Sequence, residues 1–71
     1  IIMLEIEIWP YVSGSHKVYT NNEKMKNELC TVLKIENASC TYMKKGKPFA
    51  WDLIFNDVRM STVKRIIKKY N

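Results

Sequence analysis

The sequence predicts an α+β domain in which two helices lie on one face of a three-stranded sheet, in the order strand, helix, strand, strand, helix. Three observations carry this expectation. Ile2, Leu4, Ile6 and Ile8 alternate with Met3, Glu5, Glu7 and Trp9. Phe49, Trp51, Leu53 and Phe55 alternate in the same way along the densest apolar run of the chain. Between and after these runs, two stretches space their apolar residues for one face of a helix.

Residues 1–71 make one domain, and a chain this short buries only about 60% of the surface its unfolded form exposes. A hydrophobic fraction of 46% with four tyrosines, two tryptophans and two phenylalanines still supplies a core and excludes intrinsic disorder. The N-terminal apolar run has no cationic leader and contains Glu5 and Glu7, so it reads as neither signal peptide nor membrane span. Cys30 and Cys40, without a secretory signal, read as reduced, buried thiols. A cytoplasmic location is therefore expected.

Each element has its own local signal. The first strand ends where Pro10 can no longer donate to a ladder. Tyr11 to Tyr19, with Val-Ser-Gly-Ser-His at its centre, has a loop composition, with a brief extended stretch expected at Lys17-Val18-Tyr19. Thr20-Asn21-Asn22-Glu23 matches a capping box and opens a helix of about thirteen residues. Met25, Leu29, Val32 and Leu33 form its apolar stripe. Ala38 to Met43 reads as a strand that turns through Lys44-Lys45-Gly46-Lys47 into the Phe49–Phe55 strand. With Lys45-Gly46 as the turn, Tyr42 faces Phe49, Cys40 faces Trp51 and Ala38 faces Leu53. Asn56 or Asp57 then caps a last helix whose inner stripe is Met60, Val63, Ile66, Ile67 and Tyr70, with Lys68 and Lys69 at its negative end.

A crossover from the first strand over the first helix to the second strand leaves a gap that the third strand fills. The expected sheet order is 1-3-2, antiparallel and mixed, an incomplete ferredoxin-like unit lacking a fourth strand. The first strand is then an exposed edge, able to pair with a second copy and guarded only by Glu5 and Glu7.

Function is expected from surfaces. Up to Thr41 acidic and basic residues nearly balance; beyond it Lys44, Lys45, Lys47, Arg59, Lys64, Arg65, Lys68 and Lys69 face only Asp52 and Asp57. This C-terminal basic surface predicts a non-enzymatic module that contacts nucleic acid. Ten lysines to two arginines favour phosphate attraction over base reading, hence weak sequence specificity. The alternative is a protein-binding regulator or inhibitor, of the kind carried by phage and mobile elements, using the first edge with Glu5, Glu7, Trp9, Tyr11 and Tyr19.

Catalytic signals are sparse. Glu5, Glu7 and Asp52 share the expected open sheet face with Thr41 and Met43, and a divalent-metal nuclease would use such carboxylates. Solvent-facing positions explain them as well, and no metal or cofactor is expected. Gly14-Ser15-His16-Lys17-Val18-Tyr19 resembles the Gly-Ser-His-x-x-aromatic stretch of small messenger-RNA-cleaving toxins. The resemblance covers six residues. In that family the histidine precedes a strand in a helix-first fold, whereas here it is expected between a strand and a helix. It therefore implies no catalytic role for His16, for which the sequence offers no obvious proton-transfer partner.

Overall fold

The computed structural model describes residues 3–71. Its elements are β1 (Ile6–Pro10), β2 (Ser15–Thr20), α1 (Glu23–Leu33), β3 (Cys40–Lys44), β4 (Lys47–Asn56), a 3-10 turn (Asp57–Arg59) and α2 (Met60–Tyr70). The part of the expected first strand at Ile2 lies outside the described residues.

The sheet has four strands in the order β1-β2-β4-β3, every pair antiparallel, which corrects the expected three strands in order 1-3-2. The gap-filling logic holds for a different set of strands. The chain leaves β2, crosses by α1 to β3, and β4 fills the space between them. β1 is then added outside β2 by a hairpin, so the first strand is an edge, as expected.

The segment expected to be a loop holds β2. Its turn occupies only the start, where the Ser15 amide donates to the Val12 carbonyl at 2.9 Å and Gly14 takes a φ of 82°. Val18 and Thr20 face the core and are fully buried. Thr20, though polar, is satisfied there: its hydroxyl accepts the Asn22 amide at 3.0 Å. The helix cap is accordingly Asn22, whose side chain accepts from Met25 N at 2.9 Å, in place of the Thr20–Glu23 box. α1 closes on Lys34 in the left-handed region, φ 58°. At the other end of the chain Asn56 caps the 3-10 turn, accepting from Val58 N at 2.9 Å.

Val18, Leu53, Phe55, Met25, Leu29, Val63 and Ile66 form the core, so both helices pack on one sheet face. The expected α2 stripe is present, with Val63 and Ile66 buried and Met60, Ile67 and Tyr70 packed beside them. Trp51 is buried at the margin of this core, with the Lys26 ammonium 5.0 Å above its ring.

A β-bulge at Tyr42/Met43 changes the hairpin register. Lys44 pairs with Lys47 and Met43 with Pro48, but Tyr42 then pairs with Ala50, Thr41 with Trp51 and Cys40 with Asp52. The extra residue is Phe49, which is 45% exposed and not buried as its alternation with Trp51 implies. Tyr42 and Cys40 consequently move to the open face, and Cys40 is exposed rather than buried while Cys30 is half-buried.

Candidate functional site

The eight basic residues proposed from sequence form two separate groups. Lys44, Lys45 and Lys47 surround the β3–β4 turn at the start of β4, whereas α2 begins beyond its other end. Lys64, Arg65 and Lys68 are exposed on the outer side of α2, opposite its buried stripe, and form no ion pair among the described residues. Lys69 is tied down: its ammonium lies 2.6 Å from Glu28, which also accepts the Tyr70 hydroxyl at 2.7 Å. Those two hydrogen bonds hold the Glu28 carboxyl below its usual range. Arg59 donates to the Val32 carbonyl at 3.0 Å, fastening the start of α2 to the end of α1.

The open sheet face differs from the expected cluster of three exposed carboxylates. Glu5 and Glu7 are exposed, but Asp52 is only 3% exposed. The cause lies in the strands on either side of β4. Tyr19 on β2 and Tyr42 on β3 are separated by β4, and strands two apart lie roughly 10 Å from each other. Their ring centroids are nevertheless 5.5 Å apart, edge to face, so both rings lean over β4. They meet above Ala50 and Asp52, and Ala50, fully buried, leaves them the room.

Under this roof the Tyr42 hydroxyl donates to Asp52 Oδ2 at 2.8 Å, while Oδ1 is buried without a hydrogen-bond partner. The bond to Asp52, with burial and the carboxylate charge adding to it, pushes the Tyr42 phenol up to about 12. Tyr19 is also raised, by burial first and then by the charges of Glu5, Asp52 and Glu7. The Phe49 ring of β4 lies 6.3 Å from Tyr42 and is its second aromatic neighbour.

Of the other aromatics expected to dock a partner, Trp9 is half-buried and Tyr11 is exposed, with the Lys17 ammonium 4.6 Å from the Tyr11 ring. No three His, Cys, Asp or Glu side chains among the described residues come together in a way that could hold a metal ion. No helix among them is long and apolar enough to cross a membrane.

His16 has the partner the sequence did not reveal. Its Nδ1 lies 2.6 Å from Asp57 Oδ1. The Asp57 amide donates to the Gly14 carbonyl at 3.0 Å, anchoring the 3-10 turn to the β1–β2 turn and setting the carboxylate beside the ring. The imidazole stacks on Phe55, centroid to centroid 6.1 Å. His16 and Asp57 are separated by 41 positions, so only the β2–β4 pairing brings them together.

Comparison with family models, with curated proteins and with solved structures finds no match to this chain.

Proposed function

We propose that this protein is a nucleic-acid-binding module that lays the outer side of α2 against a phosphate backbone. The observation that carries this reading is the row Lys64, Arg65 and Lys68, exposed and unpaired on a helix that contains no acidic residue. Arg59 adds a positive charge at the start of the helix, where its guanidinium is held by the Val32 carbonyl, and the hairpin lysines Lys44, Lys45 and Lys47 offer a second, separate contact. Phosphate attraction of this kind needs no base-specific geometry, and lysine supplies a point charge, so binding is weakly sequence-specific. Titration of mixed-sequence single- and double-stranded nucleic acid at several salt concentrations tests it. Each phosphate contact contributes about −0.9 to the slope of log K against log salt on duplex DNA. Replacing Lys64 and Lys68 by alanine is expected to reduce that slope by about 2. A slope near zero in the unmodified protein rejects the proposal.

A second reading rests on His16 and Asp57. A carboxylate 2.6 Å from Nδ1 is the arrangement that orients an imidazole for proton transfer through its other nitrogen. On this reading the protein cleaves RNA without a metal ion: the ribose 2′-hydroxyl attacks the adjacent phosphorus as His16 takes its proton, the P–O5′ bond breaks, and the leaving 5′-oxygen takes a proton from water. Cleavage of a labelled RNA in the presence of chelator, lost in His16→Ala and reduced in Asp57→Asn, supports it. Equal cleavage by all three proteins assigns the activity to a contaminant.

A further inference from the structure

The face opposite α2 has the chemistry of a cation receptor. Glu5, just before β1, and Glu7 within it sit two positions apart on one side of the extended chain, so their Cα atoms are spaced by about 7 Å. A guanidinium bonded to both fits that separation. Neither forms an ion pair among the described residues, although the protein as a whole carries a net charge of +5. The only lysine on this part of the sheet, Lys17, is engaged over the Tyr11 ring. Tyr19, directly across from Glu7, offers an aromatic surface, and beyond it lies the buried, unpartnered Oδ1 of Asp52.

An open cleft of about 420 Å³ runs along the β1 edge between Leu4, Glu5, Ile6, Glu7 and Tyr19. The backbone beside it is held in place. The Glu5 amide donates to Asn21 Oδ1 at 2.8 Å, and Asn21 Nδ2 donates to the Met3 carbonyl at 2.7 Å. The edge therefore presents unpaired strand groups next to two carboxylates that form no ion pair among the described residues.

We propose that the β1 edge and the Glu5–Glu7–Tyr19 face dock an extended segment of a basic protein, with one arginine side chain seated between the two glutamates over the Tyr19 ring. Strand addition supplies the backbone bonds, and the planar guanidinium both pairs with carboxylate and stacks on an aromatic ring. Asp52, buried under the roof behind Tyr19, adds negative charge to this face. The docked segment leaves α2 open, so this site and the nucleic-acid surface stand or fall separately.

The test uses an acetylated, amidated pentapeptide Thr-Val-Arg-Val-Thr and its citrulline counterpart, which keeps the shape and loses the charge. Amide NMR of the whole protein follows both. The arginine peptide is expected to shift amides of β1 and Tyr19 in a salt-dependent way, and the citrulline peptide to bind roughly tenfold more weakly. Glu7→Gln and Asp52→Asn are expected to weaken the arginine peptide while leaving the rest of the amide spectrum in place.

Three results overturn the proposal. Equal binding of the two peptides, or no binding, shows that the carboxylates recognise nothing. Spermidine binding as tightly as the peptide without shifting β1 amides makes the ligand a free polyamine. Concentration-dependent self-association broadening the β1 amides without peptide makes the occupant a second copy.

Discussion

The Tyr42 hydroxyl, on a partly exposed side chain, bonds the buried Asp52, and this couples stability to alkaline pH. The phenol is raised from 10.0 to about 12, so the folded state favours the neutral form. Its contribution is complete below pH 10.0 and is lost as pH rises through about 12. Tyrosinate absorbance should show a component titrating near the upper end of that window, and Tyr42→Phe should remove it. Asp52 itself is costly, because a buried carboxylate oxygen lacks a partner. Asp52→Asn replaces the charge by a neutral amide of the same shape and is expected to stabilise the protein by about 1 kcal/mol at pH 7, read from urea unfolding. A loss of stability of that size would mean that a donor reaches Oδ1 in solution.

Among the elements, the two chain reversals made by lysine are the least well fitted. Lys45 has a φ of 52° and Gly46 of 77°, the two-residue turn that suits the twist of an antiparallel hairpin. A lysine pays a steric penalty there that asparagine or glycine largely avoids. Lys34 ends α1 at φ 58°, where its amide donates to the Cys30 carbonyl in the position that glycine usually fills. Lys34→Gly and Lys45→Asn are each expected to raise stability by about 0.5 to 1 kcal/mol, measured by chemical denaturation, with no change in the core. Because the two sites lie at opposite ends of separate elements, the double variant should show the sum.

The whole molecule is a thin two-layer domain, and its core is small enough for one side chain to matter. Leu53→Ala is expected to cost about 3 kcal/mol, comparable with the total stability of a domain of this size, so its thermal transition should fall below that of every surface variant. At acid pH the link between the helices weakens. The Glu28 carboxyl is lowered from 4.5 by the Lys69 and Tyr70 hydrogen bonds, so that contribution is present above pH 4.5 and is lost as pH falls below it. Glu28→Gln should flatten the decline in urea midpoint between neutral pH and pH 3. Charge divides by layer as well: α2 turns Lys64, Arg65 and Lys68 outward, and the opposite sheet face carries Glu5, Glu7 and Asp52.

Local pattern was sufficient for the α+β class, for both helices with their apolar stripes, for the Lys45-Gly46 turn and for the exposure of the basic residues. These depend on periodicity and turn chemistry within a few neighbouring residues. Of β2 only the extended character of Lys17-Val18-Tyr19 was legible, because its core-facing positions hold His16 and Thr20 with Val18 between them, and the hydrogen bonds that make those polar groups acceptable come from Asp57 and Asn22. The bulge at Phe49 was hidden too, since apolar alternation along one strand carries no information about an extra residue opposite its partner. Tertiary structure alone decided which strands are neighbours. From that adjacency come the His16–Asp57 pair, which needs β2 beside β4, and the tyrosine roof over Asp52, which needs β2 and β3 on either side of β4.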